Sequence, residues 1–141
     1  MASTQEPSIL VTSRNPGEPV QNLDLFTRAW GECIELQVSA CDEWVGRSLL
    51  SLQGLRRYEI AAVVDCRVVG GIVVADDPWD AHVGPCMSVF AQYVMPDFRL
   101  RGISPRLMRE ALRIAKRSEY SVLAFTHRKA PWRYETIYRK V

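Results

Sequence analysis

One stretch of this chain has the residue types and spacing to hold an anion. Arg99-Leu100-Arg101-Gly102-Ile103-Ser104-Pro105 follows a strand-like run ending at Met95-Pro96 and opens into the best helical pattern in the sequence. A glycine beside a helix start lets several backbone N–H groups converge on one point. The helix N-terminus adds roughly half a positive charge in the same direction. Arg99 and Arg101 bring guanidinium groups suited to charge-assisted bonds with phosphate oxygens. A plain strand-to-helix turn carrying two solvated arginines has the same composition, so both readings stand on this stretch alone. Charge bears on the choice. The formal net charge is +2, yet the chain to Phe98 carries 6 basic and 13 acidic side chains, and the remainder carries 12 basic and 3 acidic. Such sorting suits an anionic ligand or surface for the C-terminal part, unless the fold interleaves the two parts.

The elements around this turn are those of an ordinary globular domain. The chain has 141 residues, 48% of them hydrophobic and 24% charged, which suits a single core without metal or disulfide staples. Apolar runs such as Ile60 to Val64 fall far short of the roughly 18 residues of a membrane span. The N-terminus has no basic segment followed by an apolar one, so a cytoplasmic location is expected. Cys33, Cys41, Cys66 and Cys86 form no Cys-x-x-Cys pair, and His82 and His127 are the only histidines. No metal site is expected, and the thiols are read as reduced.

Residues 1–21, with Pro7, Asn15-Pro16-Gly17 and Pro19, read as a loose lead-in holding one short strand at Ile9-Leu10-Val11. A single domain then spans 22–141. Asn22 is placed to cap a helix whose apolar positions are Phe26, Ala29, Trp30, Cys33 and Ile34, and a second helix runs from about Asp42 to Gly54. Tyr58 to Val64 and Arg67 to Ala75 read as a hairpin with an imperfect Asp65-Cys66 turn. Residues 76–85 read as a loop, and Cys86 to Met95 as a strand. Ser104 is the expected N-cap and Pro105 the first residue of a helix to Arg117. Leu107, Met108, Ala111, Ile114 and Ala115 form its apolar side. Arg106, Arg109, Arg113, Lys116 and Arg117 form a stripe read as a solvated face rather than a nucleic-acid surface. Ser121 to Thr126 is a strand, and 132–141 fits helix or strand, with β-propensity favouring strand. The class is α/β.

The order of these elements and the turn sequence resemble the GCN5-related N-acetyltransferases. Their signature, Arg/Gln-x-x-Gly-x-Gly/Ala, follows a strand ending Val-x-Pro; here Val94-Met95-Pro96 precedes Arg99-Leu100-Arg101-Gly102-Ile103-Ser104. The hairpin Val63 to Gly71 is similar to the family's second and third strands. The resemblance covers residues 22 to 126 and implies a mixed, mostly antiparallel central sheet flanked by helices. It implies that Arg99, Leu100, Arg101, Gly102, Ile103 and Ser104 hold the pyrophosphate of acetyl-coenzyme A, a cosubstrate. It also implies that Tyr93, Val94 and Met95 pair with the pantetheine arm where this strand and the next splay apart. His127-Arg128-Lys129 is a candidate for the 3′-phosphate, or a solvated basic loop.

For catalysis the resemblance implies acetyl transfer to a primary amine of a small molecule or protein. Some members carry a Glu base about eleven residues before the motif; Ser88 stands there, and His82, Asp80, Asp77 or a water chain are the substitutes. The general acid in many members is a Tyr on a helix after the fifth strand, in Tyr-x-Lys-x-Gly-Phe. Tyr138-Arg139-Lys140-Val141 resembles its start, which makes Tyr138 the candidate catalytic residue, with Tyr134 second. Asp76, Asp77 and Asp80 would suit a cationic acceptor. The short C-terminus, similar to that of proteins from tailed bacteriophages, leaves an alternative: an acetyltransferase fold that binds coenzyme A or a protein partner without turnover. No membrane association is expected, and either a monomer or a homodimer suits the reading.

Overall fold

A computed structural model describes residues 6–141. Six strands form one sheet in sequence order: β1 (Ser8–Arg14), β2 (Arg57–Val64), β3 (Arg67–Asp80), β4 (Gly84–Val94), β5 (Val122–Ala130) and β6 (Arg133–Lys140). All neighbours pair antiparallel except β4 and β5, which run parallel. Helices α1 (Asp24–Glu32) and α2 (Cys41–Gln53), joined through the 3-10 turn Ile34–Val38, lie between β1 and β2; α3 (Ile103–Arg117) connects β4 to β5. A parallel pair needs such a crossover.

The core follows from the period-2 alternation of the central strands. Ile72 and Val74 of β3 join Ile60, Met87 and Leu123 in a cluster with Ile103, Leu107, Ala111, Ile114 and Ala115 of α3. Val73, on the opposite face, packs with Val20, Phe26 and Leu52, and Trp44 of α2 leans on Phe26 at 6.4 Å between ring centroids. Helices thus cover both faces, and the central strands are buried on both sides. Beneath α2, fully buried Arg57 donates to the carbonyls of Leu52 and Leu55 and to Glu59, satisfying the helix C-terminus.

Several expectations change. The lead-in contains a seven-residue strand, Ser8–Arg14, paired throughout with β2; residues 1–5 of that expectation lie outside the described residues. Asn22 does not cap α1, because it sits at φ 56 with Leu23 at the cap position. The Asp65-Cys66 turn has positive φ at both residues, 51 and 60. That geometry matches the strand twist at the cost of strain in Cys66. Of residues 76–85, expected as a loop, only 81–83 form the turn. β3 runs on to Asp80 and β4 begins at Gly84, with the register shift that admits Pro78 falling between Asp77 and Asp80. The tail is the strand β6, as β-propensity favoured.

Candidate active site

The turn into α3 is built differently from the sequence expectation and serves an anion better. Gly102, not Ser104, occupies the cap position, in the left-handed region at φ 76 and ψ 9, so the helix opens at Ile103. Among the described residues no backbone carbonyl accepts the N–H of Gly102, Ile103 or Ser104, whereas Arg106 N–H returns to Gly102 at 3.3 Å. A Cβ built on Gly102 would meet nothing within 4 Å. The first turn of α3 has no acidic side chain, and Lys116 and Arg117 end the helix. Unpaired amides, the helix dipole and open space above a glycine fit a pyrophosphate. The Ser104 hydroxyl takes a hydrogen bond from Gln92 Nε2 of β4 at 2.7 Å.

Beside this turn the sheet splits. β4 and β5 pair only at Met87–Leu123 and Ser88–Ala124; beyond, the strands separate. A cleft of about 1040 Å³ fills the split and continues between the sheet and α1 and α2. Of the residues expected to touch coenzyme, Tyr93, Val94, Arg99 and Ser104 line it. Met95 is spent inside the chain: its N–H donates to Val69 at 2.8 Å and its carbonyl accepts from Phe98. Ile103 is 2% exposed, and Leu100, Arg101 and Gly102 are exposed on the turn. Arg101 stacks its guanidinium on the Phe98 ring at 4.9 Å.

Two glutamates that carry no sequence signal hold the walls of the split. Glu32, at the end of α1, accepts from Tyr93 Oη at 2.5 Å and Arg99 at 2.6 Å. Arg99 Nε also donates to the Val94 carbonyl at 2.8 Å. Burial opposes ionisation of Glu32, but the bonds from Tyr93 and Arg99 prevail and hold its carboxyl below the usual range; burial and that carboxylate push the Tyr93 phenol up to about 12. Glu35, 7% exposed in the 3-10 turn, accepts a bidentate pair from Arg128 at 2.7 and 2.9 Å, the N–H of Trp132 and the hydroxyl of Tyr134. The Arg128 guanidinium is the chief reason its carboxyl stays well below the usual range despite burial. Arg128 is therefore engaged with Glu35 rather than presented as a solvated basic loop. Lys129 lies 3.6 Å from Glu135.

Tyr138 sits on β6, opposite Ala124, where the β4–β5 ladder ends. Its hydroxyl lies 3.1 Å from Asp80 Oδ2 and 3.0 Å from His82 Nδ1. Burial, then the bond to Asp80, raises its pKa. Backbone N–H bonds from His82 and Val83 hold the Asp80 carboxyl down against its partial burial. Asp77 approaches Ser88 Oγ at 3.5 Å, and the carboxylates of Asp77 and Asp80 lie within 4.8 Å of each other and of the Cys86 thiol. Asp76 is apart from this group, interacting with Tyr120 beside the end of α3. The three aspartates are thus not one acceptor patch. Tyr134 lines the cleft itself, its hydroxyl given to Glu35, whereas Tyr138, Asp80 and His82 stand at the closed end of the split and are not among the lining residues.

A mostly antiparallel sheet with one split parallel pair, and a glycine turn opening a helix after the first strand of that pair, is the architecture of an acetyltransferase. Residues 23–131 match the Acetyltransferase (GNAT) family, and the chain belongs to that family. No curated protein matches it in sequence. Among solved structures it is similar to a ribosomal-protein-alanine N-acetyltransferase of Brucella melitensis biovar Abortus 2308, at 19% identity and TM-score 0.60, over 88% of this chain and 83% of that one. It is similar to the PaiA N-acetyltransferase of Thermoplasma acidophilum, solved with coenzyme A, at 14% identity and TM-score 0.61, over 88% and 82%. An aminoglycoside acetyltransferase from an uncultured soil metagenomic sample is 17% identical at TM-score 0.60, over 87% and 82%. At these identities the likeness is one of fold.

Proposed function

We propose that this protein is an acetyl-coenzyme A-dependent N-acetyltransferase acting on a primary amine. The observation that carries the reading is the split between β4 and β5 opening beside three unpaired amides at Gly102, Ile103 and Ser104. When bound, acetyl-coenzyme A supplies an acyl thioester. The amides and the α3 dipole hold its pyrophosphate, and Tyr93 and Val94 line the path of its arm along β4. With the Met95 backbone already bonded, that contact begins one residue earlier than the motif implies.

The acceptor amine enters from the α1–α2 side of the cleft, and Tyr138 holds the proton for the departing thiolate. A tyrosine, ordinarily titrating at about 10, is protonated through the neutral range, and burial with the bond to Asp80 raises it further. His82 Nδ1, at 3.0 Å, is the group through which that proton is replaced from solvent. Ser88 supplies no base and the Asp80 oxygens are already bonded to His82, Val83 and Tyr138, so the amine loses its proton to water. Calorimetry with acetyl-coenzyme A, the Gly102→Glu variant as control, and an assay of free thiol release over a panel of small amines, polyamines and peptides test the reading. Binding with thiol release supports it. No binding at millimolar acetyl-coenzyme A sinks it, and binding without transfer to any amine favours a coenzyme- or partner-binding module.

A further inference from the structure

Glu32 and Glu35 lie three residues apart at one corner of the chain, and each grips an arginine and a tyrosine on opposite walls of the split. Glu32 holds Arg99 and Tyr93 at the end of β4; Glu35 holds Arg128 and Tyr134 on the β5–β6 hairpin. The corner between α1 and the 3-10 turn is therefore a strap across the cleft. Its two ends are unequal. The Glu35 side chain is 6% exposed and accepts four hydrogen bonds, so its release would strand a buried carboxylate. Glu32 accepts two, and its pair with Arg99 is 32% and 44% exposed. An exposed ion pair contributes little and exchanges with another anion.

Arg99 is also the first residue of the anion-binding turn, and it lines the cleft. Its Nε is tied to Val94, so only the far end of its guanidinium needs to change partner. We propose that Glu32 is a releasable latch on Arg99. An incoming pyrophosphate takes the Arg99 guanidinium from the Glu32 carboxylate, leaving the β4 end of the strap on the Tyr93 hydroxyl alone while Glu35 keeps the other end hinged to the hairpin. The inference rests on the coenzyme reading above. It makes the ordering of the α1 side of the acceptor cleft depend on whether coenzyme is bound.

Removing the competitor without removing the arginine tests it. Glu32→Gln is expected to bind acetyl-coenzyme A about two- to fivefold more tightly, the factor that an exposed pair represents. Its affinity is expected to fall more steeply with salt than the wild type's, because binding then gains an ion pair instead of exchanging one. Both effects are expected to vanish in an Arg99→Ala background. In hydrogen exchange, coenzyme is expected to speed exchange at residues 29–33 of the wild type, and Glu32→Gln to show that speed without ligand. Unchanged or weaker binding by Glu32→Gln overturns the latch. If the wild type still binds and Gly102→Glu does not, the coenzyme site itself stands. Absence of binding by wild type and Glu32→Gln alike overturns both.

Discussion

Gly102 is the residue on which strain and binding can be separated. At φ 76 and ψ 9 it holds a conformation that costs an L-residue about 1–2 kcal/mol, and a Cβ there touches nothing within 4 Å. Gly102→Ala is therefore expected to lower the unfolding free energy by about 1–2 kcal/mol through strain alone, roughly 3–8 °C in Tm for a domain of this size. Gly102→Asn, whose side chain tolerates the left-handed region, is expected to lose less than half as much. Coenzyme affinity should sort the variants differently. Any Cβ intrudes on the space over the amides, and one charge-assisted bond lost there is worth about 1.5–3 kcal/mol. Alanine and asparagine are both expected to weaken acetyl-coenzyme A binding ten- to hundredfold, and glutamate to abolish it. Urea denaturation and calorimetry measure the two quantities on the same preparations. An alanine variant that is destabilised yet binds as the wild type does would refute the cradle and leave Gly102 as a turn residue.

Further expectations follow from individual contacts. Because the Glu35 carboxyl lies below its unfolded value of about 4.3, the stability it contributes is complete above that pH and is lost as pH falls through the folded value. Glu35→Gln should thus lower Tm at pH 7 and show a shrinking difference from wild type below about pH 4; thermal melts over pH check this. Tyr138→Phe is expected to lower kcat about 100-fold while leaving acetyl-coenzyme A affinity unchanged, and the wild-type rate should not lose this acid until the pH exceeds the ordinary tyrosine value of about 10. Undiminished kcat in the phenylalanine variant would leave Tyr138 a packing residue. Cys66→Gly relieves a non-glycine residue at φ 60 and is expected to stabilise the fold by about 1 kcal/mol, read from urea melts.

Local chemistry made much of this molecule legible from sequence. The apolar side of the last helix repeats at helical spacing, and its Leu107, Ala111, Ile114 and Ala115 are buried as that spacing requires. The Asp65-Cys66 turn declared its hairpin, and the glycine of the basic stretch marked the turn that leads into α3. Helix-cap statistics misplaced the start of α3 because Ser104 and Pro105 look like a cap and a first residue. A glycine in the left-handed region opens the helix earlier, and Gln92 takes the Ser104 hydroxyl. Pro78 and paired aspartates suggested a loop, whereas a register shift lets β3 absorb the proline. Glu32 and Glu35 were invisible for a different reason. Their partners lie 61 to 99 residues away in sequence, and a lone glutamate in a helical stretch has no pattern that distinguishes an exposed side chain from a buried clamp. Charge sorting suited an anionic ligand for the C-terminal part unless the fold interleaved the two parts, and the fold does interleave them in part, since Arg99 and Arg128 pair with Glu32 and Glu35. The fold interleaves those charges across the split, and the turn at Gly102 stays free of acidic neighbours in its first helical turn.

The central claim is that coenzyme lies in the split with its pyrophosphate on the α3 turn. A crystal structure with coenzyme A measures this directly. The account predicts pyrophosphate oxygens within hydrogen-bond distance of the Gly102, Ile103 and Ser104 amides, and the pantetheine arm between β4 and β5 beyond Ser88 and Ala124. Coenzyme bound elsewhere on the surface, with those amides facing only solvent, would contradict it.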